Sequence, residues 1–352
     1  MENEVRSTVE MFGLTKQQIK ILYSLEYLLT KRDINSNQKD IIYKEHWLEH
    51  WSACLQATMD DEITFYTYEE LLDTVANEAS SSINQTWFYL IMLEGTLFRA
   101  YTPLGETKDA DKHYQKLHYS DQTAFLKSLA KFSGLMDPVF VDRFKKTYQK
   151  TIDKLSGKMQ KVALGAVSVV AISAAAAATA GIFAGPVAVA LFGSNFAGMT
   201  GAALTSACLA MAGGGAIAVG GAGMAGGVVA IVGGGALLGA AGGGAAVSTV
   251  SILAKSMPSF ALSQAAKLEV VLKEIILNAQ KDVQSAQAVM ENLRREIHKL
   301  QREIEKLKKE DEEKKDAIKN MKKTLNYLQK SYQDMAVFKS SYEIGAEYEG
   351  EE

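Results

Sequence analysis

From Val162 to Ala254 the chain runs for 93 residues without an Asp, Glu, Lys, Arg or His. All 38 Lys and Arg and all 41 Asp and Glu lie in the other 259 residues. The run also holds 21 of the 28 glycines. The core of an ordinary enzyme of this size is broken by surface loops, and such loops carry charge. An uncharged stretch of this length therefore argues against one globular catalytic domain and for a chain that meets a lipid membrane.

The run divides into stretches of the length a membrane helix needs, about 20 mostly apolar residues. They cover roughly 162–180, 187–211, 216–232 and 236–254, punctuated by Gly185-Pro186 and by the triplets Gly213–Gly215 and Gly233–Gly235. Four spans fit, and so do two spans with interfacial pieces. Gly235, Gly239 and Gly243 recur at four-residue spacing, as do the pairs Gly181/Gly185 and Gly223/Gly227. Lipid tails are as apolar as leucine, so helices in lipid associate through close backbone approach over small residues. These seven glycines are the candidate membrane helix-packing positions. Because Ala and Gly dominate, insertion is only weakly favourable per residue. That composition suits a segment kept folded in a soluble form and released later.

Basic residues flank the run. Arg143, Lys145, Lys146, Lys150, Lys154, Lys158 and Lys161 precede it, and Lys255, Lys267 and Lys273 follow. The positive-inside rule puts both flanks on one side and requires an even number of spans. No basic n-region opens the sequence, so synthesis in the cytoplasm without a signal peptide is expected, followed by membrane association.

Residues 1–160 read as a helical domain. Thr67-Tyr68-Glu69-Glu70 matches a capping box, and Asp137-Pro138 is a second helix start. Apolar residues recur at helical spacing in Leu22, Leu25 and Leu28 and again in Leu90, Leu93 and Leu97, with a loop expected near 102–110 around Pro103 and Gly105. Trp47, Trp51 and Trp87 are core candidates. Few segments alternate with period two, so the expected fold class is all-α.

Residues 256–340 carry a heptad seam with no Gly or Pro from 261 to 344. Its strongest positions are Leu293, Ile297, Leu300, Ile304, Leu307, Ile318, Met321, Leu325 and Leu328, and Asp311 and Lys314 interrupt it. One continuous helix on the order of 110 Å long is the preferred form. Folding back at the polar run Lys308–Asp316 is the alternative. Residues 341–352 form an acidic tail. A seam of this kind needs a partner, so a homo-oligomer or related coiled-coil subunits are expected.

His46-Trp47-Leu48-Glu49-His50 matches H-x-x-E-H. On a helix, His46 and His50 would share a face and could hold zinc, with Glu49 as the base. The competing reading is an amphipathic helix that turns Trp47, Leu48 and Trp51 to the core. No large α/β domain is available to supply a further ligand, so no metal and no cofactor are expected. No phosphate-binding loop and no G-x-S-x-G turn occur, which argues against an enzyme. The net charge of −3 gives no nucleic-acid footprint. Only Cys54 and Cys208 are present, so a disulfide framework is excluded.

The block Val162–Ala254 followed by the seam Ile276–Met335 resembles, at the level of architecture, the α-helical pore-forming toxins of the haemolysin BL and cytolysin A group. The run Gly213–Ala246 is similar in composition to glycine-zipper membrane proteins. Both resemblances imply a membrane-inserting, pore-forming or membrane-perturbing effector. A constitutive membrane-anchored coiled-coil scaffold is the alternative.

Overall fold

The computed structural model describes residues 16–58, 64–82, 84–102, 107–157, 258–310 and 315–349. Their regular structure is entirely helical, with no strand among them. In chain order the helices are α1 (Lys16–Ser36), α2 (Ile41–Thr58), α3 (Tyr68–Ser81), α4 (Thr86–Leu97), α5 (Lys108–Tyr114), α6 (Thr123–Ser133) and α7 (Val139–Ser156). Three more follow the uncharged run: α8 (Pro258–Val270, extended by a π-helical stretch Val271–Ala279), α9 (Val283–Glu310) and α10 (Lys315–Glu349). The described residues fall into two compact units. One takes residues up to Lys145; the other begins at Lys146 and includes α8, α9 and α10.

The first unit is built round α4, in which every residue from Thr86 to Leu97 is buried. A helix apolar on all sides has to be surrounded, and α1 and α6 both pack on it. Gly95 permits the contact. A Cβ there would stand 2.9 Å from a methyl carbon of Leu25 on α1. Trp47 and Trp51 of α2 stack at 6.0 Å between centroids, and Trp51 meets Tyr23, Phe65 and Phe98. The Trp47 indole donates to the Thr102 carbonyl at 2.7 Å. All three tryptophans are buried.

The helix starts follow local chemistry. The Thr67 hydroxyl accepts from the Glu70 amide, and the Glu70 carboxylate accepts from the Thr67 amide, closing the capping box. Asp137 accepts from the Val139 amide at 2.8 Å and opens α7. Of the loop expected near 102–110, residues 103–106 with Pro103 and Gly105 lie outside the described residues; residues 108–110 are helical, because the Thr107 hydroxyl accepts from the Ala110 amide and starts α5 at Lys108.

The C-terminal region departs from one continuous helix at two places. Lys281 adopts a left-handed conformation, φ 57°, and closes α8 without a glycine. The Asp282 amide reaches back to the Ile276 carbonyl at 3.0 Å, and the Asp282 carboxylate then caps α9 by accepting from the Ser285 amide and hydroxyl. The second departure is the reversal between Glu310 and Lys315. Helices α9 and α10 pack against each other, and α10 continues along α8. The seam is therefore an intrachain hairpin, the folded-back alternative. Leu293, Ile297, Leu300, Ile304, Ile318, Met321 and Leu328 are buried in it, while Leu307 and Leu325 are half-buried. Heptad spacing survives the turn because each arm needs an apolar stripe facing the other.

Among the described residues no helix is long and apolar enough to cross a membrane. The run 162–254 and the glycines Gly181, Gly185, Gly223, Gly227, Gly235, Gly239 and Gly243 lie outside the described residues.

Candidate functional site

Helix α8 carries the chain out of the uncharged run, and its residues Ala261 to Leu277 are buried without interruption. Its sequence is apolar apart from a few charges. Glu269, Lys273 and Glu274 are all buried. A charge withdrawn from water costs several kcal/mol unless it is paired and hydrogen-bonded. Here the pairing crosses three helices of the second unit. The Lys273 ammonium donates to Glu269 Oε2 at 2.6 Å and to Asp334 Oδ2 of α10 at 2.7 Å. Lys154 of α7 donates to the other Asp334 oxygen. Thr151 donates to Glu269 at 3.2 Å, Thr147 donates to Glu274 at 2.6 Å, and the Tyr148 and Ser263 hydroxyls lie 2.9 Å apart. The flank of the uncharged run is thus tied to α7 and α10 by polar groups that apolar packing alone would not orient.

The two carboxyl groups of this cluster titrate in opposite directions. Burial pushes Glu269 up to about 7; the neighbouring Asp334 adds to the rise, and the Lys273 ammonium offsets part of it. Burial also acts to raise Asp334, but its hydrogen bonds with Glu269, Lys154 and Lys273 hold it well below the usual carboxylate range. Lys273 keeps its charge. Burial lowers it, and Glu269 and Asp334 together more than compensate. Glu269 Oε1 has no donor within reach among the described residues. A proton on that carboxyl can be shared with Asp334, which is the physical reason the pair holds one near neutrality.

Glu269 binds a proton more tightly folded than unfolded, so its contribution is complete below its ordinary value of 4.5 and is lost as pH rises through about 7. Stability of the second unit is expected to fall across that interval by at most about 1.4 kcal/mol per pH unit. Glu269→Gln, which mimics the protonated form, should flatten the slope. Denaturation midpoints of both proteins across that interval check this, and parallel slopes would remove Glu269 from the account.

The first unit has its own buried ion pair. Asp33 of α1 accepts from Lys44 at 2.7 Å, from the Tyr101 hydroxyl at 2.6 Å, and from the Ser120 amide and hydroxyl at 2.8 and 2.5 Å. Burial raises the Asp33 pKa, but hydrogen bonds from Lys44, Ser120 and Tyr101 outweigh it and hold it below the ordinary value. Four donors converge on one carboxylate, and Lys44 also donates to the Asn37 carbonyl at 3.2 Å, so this is a structural joint between α1, α2 and the segment after α5.

The H-x-x-E-H residues are on α2, where Trp47, Leu48 and Trp51 turn to the core. His46 and Glu49 are exposed and His50 is half-buried. Among the described residues no three His, Cys, Asp or Glu side chains are grouped to hold a metal ion. Of the basic flank, Lys267 and Lys273 are buried in the folded chain, and Lys154 pairs with Asp334. Asp33 and Asp334, the hubs of the two buried clusters, carried no motif in the sequence. A usable signal was Lys273 four residues after Glu269 in an otherwise apolar helix.

These features define a class only: the described residues form all-helical units, each keyed by a buried ion cluster. Comparison with protein-family models, curated proteins and solved structures finds no match.

Proposed function

We propose that the protein is a membrane-inserting effector without enzymatic activity, in which the uncharged run is the membrane-active element. The observation that carries this reading is the 93-residue run itself, rich in Gly and Ala with Ile, Val, Leu and Phe interleaved. The glycine spacing supports helix association in lipid. The buried cluster on α8 supports a role for the second unit in restraining the C-terminal flank of the run, because Glu269 and Lys273 must leave their partners before that flank can be drawn out. The architecture resembles that of α-helical pore-forming toxins, which shield an apolar segment and insert it on assembly.

The test is release of an encapsulated dye from liposomes by the full chain, with flotation run in parallel. Leakage with flotation is expected. Gly239→Leu should abolish leakage while leaving flotation intact, because a bulky side chain separates packed helices. Flotation without leakage would favour a membrane-anchored scaffold, and absence of both would end the membrane reading.

A further inference from the structure

Near Lys308 and Lys315, one face shared by α9 and α10 is lined by lysines. A cleft of about 580 Å³ opens there, bounded by Lys308 of α9 and by Lys315, Lys319, Lys322 and Lys323 of α10, with Asn326 at one end. Lys315, Lys319, Lys322 and Asn326 recur at intervals of four, three and four, so they form one stripe along α10. Buried Ile318 lies beside the stripe and gives the cleft a firm floor. Lys308 pairs with Glu305. Among the described residues no acidic side chain pairs with Lys315, Lys319, Lys322 or Lys323. Across residues 306–323 there are eight lysines and five acidic residues, four of those consecutive at Glu310–Glu313.

Like charges three and four residues apart on a helix repel and destabilise it. Spread round the helix, the same lysines would be a solvated face. Instead the second helix contributes a further lysine to a concave site, so a small anion could touch several ammonium groups at once. Lysine is a compact point charge with three donors, which suits tetrahedral phosphate oxygens approached from several sides.

We propose that this cleft binds a compact, multiply phosphorylated anion. The shared chemistry is a polyphosphorylated headgroup, either free or at a lipid surface. The proposal stands on the hairpin geometry and does not depend on the function of residues 162–254.

The test uses the full chain and two forms of one headgroup. Free inositol trisphosphate is titrated calorimetrically. Phosphatidylcholine vesicles doped with phosphatidylinositol bisphosphate are compared, by co-sedimentation, with vesicles brought to the same charge with phosphatidylserine. The variant is Lys315→Gln/Lys319→Gln/Lys322→Gln. The control is Lys39→Gln/Lys112→Gln/Lys131→Gln, which removes three exposed lysines of the first unit. Each lysine near an anionic surface is worth roughly a fivefold change, so the cleft variant should bind roughly a hundredfold more weakly. The control should bind like the parent. Equal binding of the free headgroup and the bisphosphate vesicles assigns recognition to the headgroup; vesicle binding alone assigns it to the lipid surface. Either supports the site if the cleft variant abolishes it. Equal loss in the control, no loss in the cleft variant, no binding of either form, or equal binding to phosphatidylserine vesicles would overturn it. All three substituted cleft lysines are exposed, so the helical circular dichroism signal should not change.

Discussion

Asp33→Ala is expected to destabilise the first unit by about 3–5 kcal/mol. Asp33 is fully buried and Lys44 is 1% exposed. Removing the carboxylate leaves that ammonium only the Asn37 carbonyl at 3.2 Å and takes the acceptor from the Tyr101 hydroxyl and the Ser120 amide and hydroxyl. The cost is dominated by the groups left unpaired. Adding Lys44→Met should therefore recover much of the loss, so that the double variant falls well short of two independent penalties. Denaturant unfolding followed by tryptophan fluorescence reports the change, because Trp47 lies 5.6 Å from the Tyr101 ring. A loss below about 1 kcal/mol would show that water replaces the carboxylate and that the cluster is not a joint. Asp33 is held below its ordinary pKa of 3.8, so its contribution is lost as pH falls through its folded value.

Leu300→Asp should cost upward of about 4 kcal/mol, combining the lost burial of a leucine with the desolvation of a carboxylate. Leu300 is fully buried at a seam position of α9. What distinguishes the hairpin from an intermolecular coiled coil is the concentration dependence. Packing within one chain makes the loss of helical signal independent of protein concentration. An effect relieved at high concentration would return the seam to a contact between copies. Leu300→Met, which conserves volume, should stay within about 1.5 kcal/mol of the parent.

Much of the helical content was legible because its signals are local. The Thr67/Glu70 box, the Asp137 cap and the period of Leu90, Leu93 and Leu97 act within one or two turns of chain. The seam positions were legible for the same reason, since an apolar stripe shows in spacing. Its partner was not. A stripe is satisfied equally by a second copy or by its own continuation folded back, and Lys281 closed α8 with neither glycine nor proline to mark the break. The burial of all of α4 and of Ala261 to Leu277 in α8 was hidden as well. Periodicity separates an inside from an outside, and these stretches have no outside.

The candidate sites divide in the same way. The H-x-x-E-H spacing was visible, but only folding shows that α2 spends its inward face on tryptophans and leaves His46 and Glu49 exposed. The glycine stripes rest on sequence alone. Asp33 is 87 residues from Ser120, and Lys273 is 61 from Asp334. Pairs so distant leave no mark in a single sequence, because each residue alone reads as a surface charge.

By itself, then, the sequence determined that the described residues are all-helical, that the chain carries a 93-residue run without a charge, and which faces of its helices are apolar. Only the tertiary structure decided that the long seam closes on itself, which charges are withdrawn from water, and that five lysines share one cleft. The physical reason is range. Helix formation and capping act between neighbours along the chain, whereas desolvation and ion pairing depend on what the fold brings together through space.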